Sequence, residues 1–109
     1  MRTLRLMADY WAWPVWEPGS EEYNIDPETL DISAGLRSEL AAWAREYDGT
    51  IDQSYPPNSG FVDVQTAARW LEDGRRLALR LEQELGPRDW RVVYWHDREQ
   101  AADLVATVG

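Results

Sequence analysis

The chain has 109 residues, of which 44% are hydrophobic, with seven Trp, no Cys and a formal net charge of −9. This length suits one domain, residues 1–109, with a buried core. The lack of Cys excludes disulfides, thiolate metal sites and cysteine nucleophiles. The acidity argues against direct binding to nucleic acid or to an anionic membrane, because both need a basic footprint.

The charge is unevenly distributed along the chain. Between residues 9 and 36 there are seven acids and no base, whereas from residue 61 onward nine acids nearly balance seven Arg. The acidic region also carries three of the seven Trp. No apolar run approaches the roughly 20 residues that span a bilayer, and the N-terminal segment lacks the apolar stretch of a signal peptide. We therefore expect a cytoplasmic protein.

The first predicted element is a strand at 3–10, because apolar and polar residues alternate there. In the following WAWPVWEPGSEEYN, two Pro and one Gly exclude a long regular element. Asp26-Pro27-Glu28 predicts a single helical turn with Asp26 as its cap.

Two helices follow, at 34–48 and 64–85. Ser33 and Asp63 are suitable N-caps, and both segments have an apolar stripe at helical spacing. Gly49 ends the first helix and Gly86-Pro87 ends the second.

Gly74 lies within the apolar stripe of the second helix, where glycine costs about 1 kcal/mol relative to alanine. We expect a bulky ring, that of Trp43, to pack against the bare backbone there.

Residues 90–96 form the best predicted strand, rich in β-branched and aromatic residues and apolar on both faces. The tail at 98–108 fits either a helix or the return strand of a hairpin. The predicted fold is an α+β two-layer sandwich of order β-α-α-β, with both helices on one face of a short sheet. An up-and-back helix pair would make the last strand antiparallel to the first.

Few residues can support catalysis. His96 is the only histidine, and we interpret it as a surface residue at a strand end beside Asp97. The acidic pairs are Glu21 with Glu22, in a predicted exposed loop, and Asp48 with Asp52. No nucleophile elbow, phosphate-binding loop, calcium loop or zinc ligand set is present. We therefore predict a protein that is not an enzyme and needs no cofactor or metal.

The most distinctive segment is the acidic, aromatic region from 11 to 31. In one interpretation, at least two of its three Trp rings complete the core. In a second interpretation the rings form a contact patch, since Trp is enriched at binding hot spots. In the second interpretation the nearby acids steer a basic protein partner. The candidate partner-binding residues are Trp11, Trp13, Trp16, Glu17, Glu21, Glu22, Asp26 and Asp31.

Four motifs carry a resemblance: L-R-L-x-A-D-Y-x-x-W-P-V-W, N-I-D-P-E-T-L, P-P-N-S-G-F and R-V-V-Y-W. Together they resemble a group of small acidic actinobacterial proteins over about residues 4–95. The motifs are structural in character and identify no catalytic residue. In size and charge alone, the chain is similar to immunity proteins that neutralise a toxin.

Three functions remain open from the sequence. The first is an immunity-type inhibitor whose region 11–31 covers the basic active site of a toxin acting on nucleic acid or nucleotides. The second is a homodimeric housekeeping or regulatory domain, in which Met7, Trp11, Val93 and Trp95 form an apolar sheet face covered by a second copy. The third is a small enzyme or ligand-binding protein that uses His96 and nearby acids.

Overall fold

The structure, a computed structural model, describes residues 1–106, which form two helices packed on one face of a four-stranded mixed sheet. The strands are β1 (Arg2–Leu6), β2 (Val15–Trp16), β3 (Asn24–Ile25) and β4 (Trp90–Tyr94), in the order β3-β2-β1-β4. The helices are α1 (Ala34–Asp48) and α2 (Val64–Leu85). The predicted α+β sandwich with its helices on one face is confirmed.

The direction of the last strand differs from the prediction. β1 is antiparallel to β2, and β2 to β3, but β1 and β4 are parallel, with Arg2 opposite Trp90. The reason is the segment 26–33, which carries the chain back to the end of the sheet where β1 starts. There Asp31 and Trp90 line one cleft with Arg2. α1 then runs away from that end and α2 returns to it, so β4 starts beside Arg2.

Local capping bonds explain why the helices begin where the sequence predicts. The Ser33 hydroxyl accepts a hydrogen bond from the Leu36 amide at 3.1 Å, and the Asp63 carboxylate accepts one from the Thr66 amide at 2.7 Å. Each bond satisfies an amide that has no partner within its helix. The Asp26 carboxylate caps the short 3-10 turn Pro27–Thr29 in the same way. These predicted bounds are confirmed.

Two Trp residues join the helices at the centre of the core. The rings of Trp43 and Trp70 stack with centroids 4.5 Å apart and planes 2° from parallel. Each indole N–H donates to the other residue's backbone carbonyl, at 2.9 and 3.0 Å. A buried indole needs such a partner, so the pair fixes both the spacing and the register of α1 against α2.

Gly74 lies where this pair meets β4. A Cβ atom at Gly74 would come within 2.6 Å of Trp43 Cζ2 and 2.7 Å of Tyr94 Cζ. The predicted contact with Trp43 is confirmed, and the Tyr94 ring shares the space. The bare backbone therefore allows the two rings to reach α2.

The chain after β4 does not form the predicted elements. The strand ends at Tyr94, and 3-10 turns follow at Trp95–Arg98 and Ala101–Leu104. The tail is then held by a parallel bridge between Phe61 and Val105. It is thus neither an α-helix nor a hairpin strand up to residue 106, and Val108 lies outside the described residues.

Candidate functional site

The predicted partner-binding residues lie at two ends of the sheet. Because β2 is antiparallel to β1, the loop 7–14 lies beyond Leu6, whereas the loop 17–23 lies beside Arg2. Trp11 therefore lies at the opposite end of the sheet from Glu17, whereas Trp13 lies between them, hydrogen-bonded to Asn24 at the start of β3. Region 11–31 does not form a single compact patch.

Trp16 is the buried member of the three predicted Trp. It is 8% exposed, its indole N–H donates to the Met7 carbonyl at 2.9 Å, and its ring lies 5.1 Å from that of Tyr23. Trp11 and Trp13 are 68% and 50% exposed. The alternative in which at least two of these rings complete the core is therefore wrong.

The two exposed Trp are held through their backbones. The Trp11 amide donates to Asp48 Oδ1 at 3.1 Å. The Trp13 amide donates to Asn24 Oδ1 at 3.0 Å, and Asn24 Nδ2 donates back to the Trp13 carbonyl at 2.8 Å. Both indoles are thus presented to solvent by a fixed main chain, which lowers the entropy lost when they bind a partner.

Trp11 also has an unusual backbone conformation. Its φ of 62° is the only positive value at a non-glycine residue within 1–106. A bulky residue in the left-handed region costs about 1–3 kcal/mol and persists only where its surroundings impose it, often at a functional site. Here the hydrogen bond from the Trp11 amide to Asp48 holds this backbone conformation. The indole is thereby directed into solvent.

At the opposite end lies an acidic cleft of about 490 Å³, whose acids are Glu17, Glu22 and Asp31. Its apolar lining consists of Leu4, Ile25, Leu30, Leu85 and Trp90. Arg2 forms two hydrogen bonds to Glu17, at 2.8 and 2.9 Å, and its guanidinium lies 4.3 Å from the Trp90 ring centre. Within residues 1–106, Glu22 and Asp31 have no ion-pair partner. The cleft thus has surplus negative charge above an apolar floor, which suits a basic side chain with an aliphatic stem.

The other two predicted acids lie outside this cleft. Glu21 is exposed on the loop between β2 and β3. Asp26 is half-buried, and its carboxylate accepts a hydrogen bond from the Glu28 amide at 2.9 Å. The structure therefore brings together three of the five predicted acids and uses a fourth in a turn.

His96 is buried, so its interpretation as a surface residue is wrong. It is 3% exposed because the turn after Tyr94 directs the ring beneath the helices. The Ala8 amide donates to His96 Nε2 at 3.1 Å, so Nδ1 carries the proton and donates to Glu99 Oε1 at 2.9 Å. With both ring nitrogens engaged, His96 anchors the end of β1 and lacks the free nitrogen that a general base needs.

Burial lowers the pKa of His96 from its ordinary value, and Glu99 opposes that shift. The groups facing the ring are aromatic, with Trp70 at 5.0 Å and Tyr94 at 5.7 Å between ring centres. Burial also raises the pKa of Tyr47, a third ring near His96, to about 12. The neutral imidazole is thus the form that this core accommodates.

The sheet face opposite the helices is partly open, as the sequence predicts, but Trp11 is not part of it and lies beside the end of α1. Trp95 is 53% exposed, Val93 is exposed beside it, and the Arg5 guanidinium lies 4.9 Å from the Trp95 ring centre. Arg5 also donates to the Tyr23 hydroxyl at 3.3 Å. This face therefore combines exposed apolar side chains with one central cation.

Sequence reasoning did not connect Trp90 or Asp48 with these surfaces. Trp90 reaches the acidic cleft only because β4 pairs with β1, and Asp48 reaches Trp11 only because α1 ends there. Neither contact leaves a local signal in the sequence. Among the described residues, none of the helices is long and apolar enough to cross a membrane.

Comparison with known proteins gives one family. Residues 2–97 match the model of a family described as Serratia CdiI immunity protein-like. No curated protein matches the sequence.

Proposed function

The chain belongs to the Serratia CdiI immunity protein-like family, and we propose that it is the non-enzymatic inhibitor of one toxin, acting in the cytoplasm and binding through region 11–31. The family supports a toxin-inhibitor role in general terms. The observation that carries the specific proposal is the pair of exposed indoles, Trp11 and Trp13, on a main chain held by Asp48 and Asn24.

Rigid exposed aromatic residues are what a tight interface needs at its centre. They bury a large area, each Trp has only two side-chain torsions to immobilise, and the ordered backbone loses little further entropy. Three exposed acids among the predicted residues, Glu21, Glu22 and Asp31, then provide long-range attraction. The complementary partner is a basic surface, such as the active site of a toxin that acts on nucleic acid or nucleotides.

Capture of the partner tests this proposal. A tagged chain expressed in its native host is expected to retain one basic protein, with an association rate that falls as salt rises. A double Trp11→Ala, Trp13→Ala variant is expected to weaken that binding by about 2 kcal/mol or more, a loss of roughly 30-fold.

Trp95→Ala is the matched control, because Trp95 is a comparably exposed Trp outside region 11–31, on the sheet face opposite the helices. It is expected to leave the affinity unchanged. An absent partner, an association rate independent of salt, or equal losses in the two variants would contradict the proposal.

The open sheet face favours a second candidate, a homodimer in which Val93 and Trp95 are covered by another copy. Light scattering decides between the two arrangements. A dimeric mass at tens of micromolar that becomes monomeric in Trp95→Glu supports the homodimer, and a monomeric mass of the unaltered chain excludes it.

A further inference from the structure

A second cavity, of about 800 Å³ and widely open to solvent, lies beside Trp11 at the end of α1. We call it the indole groove. Its lining consists of Trp11, Arg45, Asp48, Gly49, Ile51, Asp52 and Gln53. One wall is thus an exposed aromatic ring, and the other is the last turn of α1 with the loop after it.

The loop that carries Trp11 is fixed to this end of α1 by three contacts. The rings of Tyr10 and Tyr47 lie 4.6 Å apart, and the hydroxyls of Tyr10 and Thr50 are 2.7 Å apart. The third contact is the bond from the Trp11 amide to Asp48. The groove therefore keeps its shape without a partner.

Both carboxylates of the groove are held through one oxygen. Asp48 Oδ1 accepts from the Trp11 amide, and Asp52 Oδ1 accepts from the amides of Ser54 and Tyr55 at 2.9 and 3.0 Å. Within residues 1–106, the second oxygen of each carboxylate has no hydrogen-bond partner. The two acids outweigh the single Arg45, and the C-terminal end of a helix adds partial negative charge.

At the other end of the molecule, the same combination of an indole and a carboxylate already holds an arginine side chain. There the Arg2 guanidinium lies 4.3 Å from the Trp90 ring centre and binds both oxygens of Glu17. An indole face and a carboxylate together thus hold an arginine in this fold. The indole groove offers both groups, with the carboxylates oriented and the indole free.

We propose that the indole groove receives an arginine side chain of the partner protein, with its guanidinium over Trp11 and its N–H groups on Asp48 and Asp52. This rests on the proposed function and extends the binding surface to residues outside 11–31. Arginine fits better than lysine, because its planar guanidinium stacks on an aromatic face and has donors for two carboxylates.

Titration with the peptide acetyl-Gly-Arg-Gly-amide, followed by two-dimensional ¹H–¹⁵N NMR, tests this. We expect saturable shifts of the Trp11 indole N–H and of the amides at 48–53, weaker shifts with the lysine peptide, and none with acetyl-Gly-Gln-Gly-amide. Asp48→Asn with Asp52→Asn keeps an acceptor oxygen at each position and removes both charges. This double variant is expected to bind the arginine peptide about fivefold more weakly, the equivalent of about 1 kcal/mol.

Glu21→Gln with Glu22→Gln is the matched control, since it removes the same charge away from the groove and is expected to leave the Trp11 shifts unchanged. Equal weakening in the two double variants, or an unmoved Trp11 indole, would overturn the assignment. Retention of the protein partner by the unaltered chain, with no peptide shift at Trp11, would sink this inference and leave the proposed function standing. Peptide binding at Trp11 without any captured partner would support an arginine site in the groove and contradict the proposed function.

Discussion

Replacing Gly74 by alanine has two opposing effects on stability, because alanine favours the helix but its methyl group overpacks the core. The structure predicts that the overpacking is the larger effect. The added methyl group would lie 2.6 Å from Trp43 Cζ2 and 2.7 Å from Tyr94 Cζ. Neither ring can move freely. Trp43 is fixed by its stack and its paired hydrogen bonds with Trp70, and the Tyr94 hydroxyl donates to the Leu71 carbonyl at 2.9 Å.

The magnitude follows from three contributions. Alanine gains about 1 kcal/mol over glycine inside a helix. Overpacking of a filled core costs about 1–3 kcal/mol, and displacement of Tyr94 from Leu71 costs about 1 kcal/mol more. Gly74→Ala is therefore expected to lower the free energy of unfolding by about 1–3 kcal/mol. For a domain of this size the Tm would fall by roughly 5–20 °C.

Thermal and urea unfolding followed by circular dichroism measure this change. Gly35→Ala is the control in α1, because its nearest neighbour, an Arg80 guanidinium nitrogen, lies at an ordinary 3.5 Å. That change is expected to raise the Tm slightly through helix propensity. If Gly74→Ala raised the Tm as Gly35→Ala does, the argument from close packing would be refuted.

Two further predictions concern the buried polar groups. Trp70→Phe removes the indole N–H that bonds the Trp43 carbonyl and leaves space unfilled at the centre of the core, so urea unfolding is expected to show a loss of about 1–3 kcal/mol. The pKa of His96 is lowered in the fold, so below about pH 6.5 the unfolded chain binds a proton that the folded chain does not. The free energy of unfolding should therefore fall as the pH drops from 7.5 to 5.5, and His96→Gln should flatten this slope. An equally steep slope in the variant would show that other groups cause it.

The helices and the Gly74 contact were predictable because their signals are local. Ser33 and Asp63 cap through amides three residues away, and the apolar stripes repeat every helical turn. Gly74 is conspicuous because glycine is unfavourable in a helix, and the nearest large ring on the facing stripe is Trp43.

The sheet and the surfaces around it could not be predicted as fully. β2 and β3 have two residues each, too few to show an alternating pattern. The parallel pairing of β4 depends on the path of segment 26–33, and the burial of His96 depends on an amide 88 residues away. The backbone conformation of the exposed Trp11 also depends on a distant residue, because Asp48 accepts the hydrogen bond from its amide. Periodicity carries no information about such distant contacts.

The parallel pairing of β1 with β4 has a consequence for the synthesis of the protein. β1 contains Leu4 and Leu6, both fully buried, yet its parallel neighbour β4 is synthesised long after it, once both helices have been made. Until then one edge of β1 has unpaired backbone groups, and such edges invite aggregation. Contacts this distant in sequence also form slowly. The sheet is therefore completed only after β4 has been synthesised, and a chain that stops before residue 90 is expected to aggregate.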